Sequence, residues 1–134
     1  MTGSAGLVLS LGIIHVLYTF RGTKLTPRDP AVQRSMEQES PVLTRETTMW
    51  KAWIGFNASH GFGLILFGLV YGYLALSKDD FLFRSPFLLV MGFGMLSSLL
   101  VLARLYWFAV PFWGVFLALL CYLGSIALSR LSLN

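Results

Sequence analysis

The side chains best suited to chemistry are an indole, an amide and two imidazoles. Trp53, Asn57 and His60 follow one another at spacings of four and three residues, and His15 lies much earlier in the chain. Residues three or four apart share one face of a helix, so a helix here would present these three groups in succession. Imidazoles and amides can hydrogen-bond to each other or to a ligand, and imidazoles can bind metals. We therefore take these four residues as candidate ligand-binding residues.

Four long apolar stretches must position these groups. They span 3–20, 50–76, 86–107 and 110–129, and the chain is 56% hydrophobic and only 12% charged. Each stretch is close to the ~20 residues that a helix needs to cross the hydrocarbon layer of a bilayer. The sequence predicts an all-α fold, a transmembrane four-helix bundle formed by a single domain over 1–134, with a long first loop at 21–49.

Three of the candidate residues are predicted to lie at similar depths in the membrane. Counting ~1.5 Å per residue from the basic span ends places His15 and Asn57 about 9 Å inside the hydrocarbon and His60 about one turn deeper. We expect these groups to meet between spans one and two. Three further residues are predicted to make polar contacts at the same end of the bundle: Arg21, Arg104 and Tyr106.

Several roles for this polar cluster are open. The simplest is structural, because interhelical hydrogen bonds fix the register of neighbouring spans. A second is haem binding, with His15 and His60 as axial ligands of haem b. A third is a quinone or other lipid-like ligand held by His60 and Asn57 under Trp53. We expect no metal site, since Cys121 in span four would add only one ligand per helix without local spacing.

Charge predicts the orientation. Basic residues near span ends are retained in the cytoplasm, and seven would lie on one side against three on the other. This predicts a cytoplasmic first loop, with both termini outside and the first span retained. The seven are Arg21, Lys24, Arg28, Arg34, Arg45, Lys51 and Arg104, and the three are Lys78, Arg84 and Arg130.

The first loop contains a helix signal of its own. Asp29 precedes Pro30, a pair typical of a helix N-cap and first helical residue. Val32 and Met36 then form a narrow apolar stripe among polar residues. The pattern predicts a short helix that lies at the cytoplasmic membrane interface.

The lack of catalytic motifs and the placement of the charged residues limit the functions that the sequence supports. No Asp or Glu lies inside an apolar span, and there is no HExxH, GxSxG or Walker-type loop, so the sequence shows no evident catalytic machinery and favours a binding role over an enzymatic one. The net charge of +4 comes from residues that flank the spans, which favours contact with the lipid bilayer and no nucleic acid. We expect an accessory or structural subunit of a larger membrane complex, associating with other subunits or with itself. The alternative is a haem- or quinone/lipid-binding protein.

One stretch of span two carries a family resemblance. Residues 55–60, Gly-Phe-Asn-Ala-Ser-His, together with His15 and Pro27-Arg28-Asp29-Pro30 in the loop, resemble a family of small four-span bacterial membrane proteins with a Gly-Phe-Asn-x-Ser-His stretch. The resemblance covers most of the chain. It implies a multi-pass protein of the bacterial inner membrane but no particular activity.

Overall fold

The computed structural model describes residues 1–77 and 81–131, and these contain six helices and no strand. In chain order they are α1 (Thr2–Phe20), α2 (Pro30–Gln38), α3 (Met49–Leu76), α4 (Phe81–Arg84), α5 (Pro86–Tyr106) and α6 (Ala109–Leu131). Lys78, Asp79 and Asp80, of which Lys78 counted in the predicted orientation, lie outside the described residues.

Four of the helices match the predicted spans. α1, α3, α5 and α6 are each long and apolar enough to cross a membrane. Their ends agree with the sequence prediction to within two residues, because the length of each apolar run limits how far the helix extends. The all-α fold with four membrane-length helices is therefore confirmed, and it indicates a multi-pass membrane protein.

Local capping explains where the helices begin. The Asp29 side chain accepts a hydrogen bond from the Ala31 N–H at 2.8 Å and starts α2 with Pro30 as its first residue. Ser85 caps α5 in the same way and accepts from Leu88 N–H at 3.4 Å. α1 ends before Gly22, which adopts a φ of 95° that favours glycine. The Asp29 cap is the one that the sequence predicts, whereas the position of α2 at the membrane interface stays a prediction.

The contacts divide the chain into two units. Unit one contains Met1–Leu11 and Leu64–Asn134, and unit two contains Gly12–Gly63. Unit one therefore holds the beginning of α1, the later part of α3 and all of α4, α5 and α6. Unit two holds the rest of α1, the first loop with α2, and the beginning of α3.

Unit one has a continuous apolar core. Its most buried members come from α4, α5 and α6: Leu82, Leu96, Ala118 and Tyr122 are all fully buried. Gly68 of α3 lies against α1, where an added Cβ would be 2.7 Å from Leu9 Cβ and 2.9 Å from the Ala5 carbonyl oxygen. The glycine-x-x-x-glycine stretch that begins at Gly68 thus supports packing within the chain.

Candidate functional site

Two glycines allow α1 and α3 to approach closely in unit two. Gly12 and Gly61 are both buried, and a Cβ added to Gly61 would lie 2.5 Å from Val16 Cγ2 and 3.4 Å from the Gly12 carbonyl oxygen. Only a residue without a side chain fits there. Because His60 directly precedes Gly61, this contact brings the polar face of α3 to α1.

A chain of hydrogen bonds runs from α1 to the first loop. His15 Nε2 lies 3.1 Å from Asn57 Oδ1, and Asn57 Nδ2 donates to the Trp53 carbonyl at 2.8 Å. The Trp53 indole N–H in turn donates to the Leu25 carbonyl at 2.9 Å. The loop therefore fixes the indole, and the helix backbone fixes the amide that meets His15.

These bonds assign the proton on His15. Since Asn57 uses its amide nitrogen toward Trp53, its oxygen faces His15 and accepts, so Nε2 of the neutral imidazole donates. Nδ1 of His15 is then an acceptor. The amide of Asn57 has two hydrogens, of which the Trp53 carbonyl takes one. The site thus offers both a hydrogen-bond acceptor and a donor.

His60 lies against His15 as an edge-to-face ring contact. The two ring centroids are 5.0 Å apart with an angle of 78° between the planes, and His60 makes further contacts of its own. A haem ligated by both residues would need the porphyrin between two imidazoles that point at one iron from opposite sides. Rings in direct contact leave no room for it. The two histidines do not fit as joint axial ligands of haem b.

All members of the site are partly accessible. The Trp53 side chain is 42% exposed, and His15, Asn57 and His60 have intermediate exposure. Thr19, whose hydroxyl donates to the His15 carbonyl at 2.8 Å, is buried instead. The cluster is therefore a half-open polar surface within apolar helices. We refer to His15, Trp53, Asn57 and His60 as the imidazole–amide site.

The remaining predicted site residues are spread over both units. Arg21 is exposed in unit two, just after α1, and Arg104 and Tyr106 are exposed at the end of α5 in unit one. Arg104 lines a groove together with Trp107 and Trp113. Cys121 is exposed on α6. Within residues 1–77 and 81–131, no three His, Cys, Asp or Glu side chains are placed to hold a metal ion.

Two parts of the site were not predicted from the sequence, because they depend on glycines and on the backbone and not on polar side chains. The pairing of Gly12 with Gly61, and the acceptor role of the Leu25 carbonyl, are not visible in the types of the polar residues. Glycine next to His60 was the available signal, because small residues mark close helix contacts in membranes.

Comparison with known protein families, with curated proteins and with solved structures finds no match for this chain.

Proposed function

We propose that this protein binds a lipid-soluble molecule with a carbonyl or hydroxyl headgroup, such as a quinone or quinol, at the imidazole–amide site. The observation that carries this proposal is the partial exposure of hydrogen-bonded polar groups in membrane-length apolar helices. Polar groups that face hydrocarbon are costly, and a ligand headgroup would relieve this cost. If the hydrogen bonds of this site served only to hold α1 and α3 together, we would expect its polar groups to be fully buried.

The donor and acceptor pattern supports this ligand class. A ligand hydroxyl can donate to Nδ1 of His15, and a ligand carbonyl can accept the second amide hydrogen of Asn57. The Trp53 indole, anchored by the Leu25 carbonyl, offers a flat apolar surface beside them. A ring with oxygen substituents and an apolar tail satisfies all three features.

The test is to identify what the protein carries out of the membrane. The full chain is purified in mild detergent, extracted, and analysed for isoprenoid quinones by mass spectrometry. We expect a quinone in near-stoichiometric amount with the wild type and its loss with Asn57→Leu. Ser59→Ala is the matched control, since its hydroxyl bonds to the Phe56 carbonyl on the same helix and lies outside the site. Equal quinone content in the wild type and Asn57→Leu would contradict the proposal.

A second candidate function is that of an accessory subunit in a larger membrane complex. The supporting observation is an apolar tip on the first loop: Val42 and Leu43 are 109% and 94% exposed. They are the central residues of a turn closed by the Thr44 N–H and the Pro41 carbonyl at 3.2 Å. Turns usually carry polar residues or glycine at their centre, so two exposed aliphatic side chains favour a contact with another subunit.

The size of the native particle tests this second function. We expect the protein, released in mild detergent, to migrate as a large assembly with a co-purifying chain, and Val42→Ser combined with Leu43→Ser to release it as a small species. Gln38→Ala with Ser40→Ala is the control on the same loop. A wild-type monomer without any co-purifying chain would contradict an accessory role.

The proposed setting of these functions is the inner membrane of a bacterium. The excess of basic residues on one side supports a cytoplasmic first loop and termini outside the cytoplasm. The apolar stripe of Val32 and Met36 supports a position of α2 in the membrane interface.

A further inference from the structure

Two tyrosines hold the beginning of α5 against α3 and α6 in unit one. The Tyr71 hydroxyl donates to the Leu88 carbonyl at 2.7 Å, and the Tyr122 hydroxyl donates to the Leu89 carbonyl at 2.9 Å. Both rings lie beside Gly92, where an added Cβ would collide with Tyr122 Oη and lie 2.7 Å from Tyr71 Cε1. These contacts fix the first turns of α5 relative to α3 and to the middle of α6.

A groove opens between the beginning of α5 and the end of α6. Its volume is about 330 Å³, and its lining residues are Phe83, Arg84, Pro86, Leu89, Ile126, Ser129 and Arg130. Leu82, fully buried in the core, anchors the short helix α4 that carries Arg84. The same packing that positions Leu89 thus brings two arginines to one cavity.

Two arginines, Arg84 and Arg130, line the groove. Among residues 1–77 and 81–131, no Asp or Glu lines it. Both arginines are exposed. Like charges that line one groove repel each other, and an anion between them would turn this repulsion into attraction. The N-terminus of α5 and the C-terminus of α6 lie together here and have opposite dipoles, so the arginines decide the sign of the potential.

Each arginine also has a simple explanation taken alone. Arg130 lies in the last turn of α6, where a cation favours the helix dipole, and Arg84 is an exposed residue at the end of α4. Neither explanation accounts for their convergence on one groove. Nor does it account for the apolar half of the lining, formed by Phe83, Leu89 and Ile126.

We propose that this groove binds the phosphate group of an anionic phospholipid. Arginine presents a planar set of donors that matches phosphate oxygens, and two arginines can contact one phosphate from two sides. The apolar side chains of the groove suit the first methylenes of an acyl chain. A free phosphate ion would use the arginines but not this apolar surface, so the lipid is the better match.

Native mass spectrometry of the full chain in detergent tests the proposal. Phosphatidylglycerol is titrated against the wild type and against Arg84→Gln combined with Arg130→Gln. We expect the double variant to bind the lipid at least about tenfold more weakly, since two charge-assisted contacts are lost. Lys24→Gln with Arg34→Gln removes the same net charge from the first loop and should leave the affinity unchanged. Arg84→Lys with Arg130→Lys, which keeps the charge but loses the planar donors, should lie between.

Two further measurements distinguish a phospholipid headgroup from a free phosphate ion as the occupant of the groove. Phosphatidylcholine, whose phosphate is neutralised within its own headgroup, should bind more weakly than phosphatidylglycerol. Inorganic phosphate at millimolar concentration should not displace the bound lipid. Equal phosphatidylglycerol affinity of the wild type and the glutamine double variant would overturn the site, and displacement by inorganic phosphate would overturn a lipid as its occupant. Unchanged helix content by circular dichroism verifies that the double variant is folded.

Discussion

At the scale of single residues, the imidazole–amide site depends on one amide. Asn57 joins His15 to the backbone of α3, because its oxygen meets the imidazole and its nitrogen meets the Trp53 carbonyl. Interhelical hydrogen bonds of this kind contribute modestly, about 0.6 kcal/mol on average in membrane proteins. The bond therefore orients the groups of the site more than it stabilises the fold.

Replacing His15 and Asn57 separately and together measures how much their hydrogen bond contributes to stability. In a double-mutant cycle of His15→Phe and Asn57→Leu, we expect a coupling free energy of about 0.6 kcal/mol, with ~1.7 kcal/mol as the upper bound. The measurement is reversible unfolding in detergent micelles or bicelles. A coupling near zero would mean that the two side chains do not interact.

At the scale of helices, glycines decide which faces meet. Gly61 meets the backbone of α1 in unit two, and Gly92 makes room for two tyrosine rings in unit one. Each has a nearby glycine with open space, Gly55 and Gly94, at which an added Cβ meets nothing within 4 Å. The chain thus provides matched controls for both contacts.

Gly61→Ala is expected to push α1 and α3 apart. The added methyl would meet the Val16 amide nitrogen at 3.3 Å as well as its side chain, so a rotamer change of Val16 cannot relieve it fully. We expect a loss of about 1–3 kcal/mol in the free energy of unfolding. Gly55→Ala should cost nothing and can stabilise the helix. Equal stability of the two variants would show that the close contact at Gly61 does not exist.

Gly92→Ala is expected to displace the rings that hold α5. Tyr122 is fully buried and cannot turn away, so we expect a loss of about 1–3 kcal/mol, measured by the same unfolding experiment. Tyr122→Phe removes the colliding oxygen together with its hydrogen bond to the Leu89 carbonyl, so Gly92→Ala should cost less in the Tyr122→Phe background than in the wild type. Gly94→Ala serves as the neutral reference. An equal cost of Gly92→Ala in both backgrounds would argue against a collision at the hydroxyl.

The sequence predicts the helices well and their contacts only in part. Span ends follow from apolar length, and Asp29 and Ser85 mark helix starts through local capping. Depth counting places His15 level with Asn57, as the 3.1 Å contact between them requires. The groove of Arg84 and Arg130 could not be predicted in this way. It depends on which helix faces pack together, and that is decided by Gly92 and the tyrosines, whose pairing leaves no local pattern.

At the scale of the whole molecule, charge asymmetry is the main signal for orientation. The first loop and Lys51 carry six basic and four acidic residues, and the apolar helices carry almost none within their middle turns. Since lysine and arginine near span ends resist translocation, this loop should stay in the cytoplasm.

A reporter fused after Asn134 tests this orientation in a bacterial host. We expect a fused alkaline phosphatase, which is active only outside the cytoplasm, to be active, and a fused green fluorescent protein to remain dark. Fusions within the first loop, after Gln38, should give the opposite pair of results. A fluorescent fusion after Asn134 would reverse the proposed topology.

Trp53 offers a direct reporter of headgroup binding at the imidazole–amide site. A variant with the other three tryptophans, Trp50, Trp107 and Trp113, replaced by phenylalanine leaves one indole, fixed beside Asn57. Titration with decylubiquinone should quench its fluorescence in a saturable manner, and adding His15→Phe with Asn57→Leu should abolish saturation. Quenching that rises linearly and identically in both proteins would reflect partition into the detergent, and it would contradict headgroup binding at the imidazole–amide site.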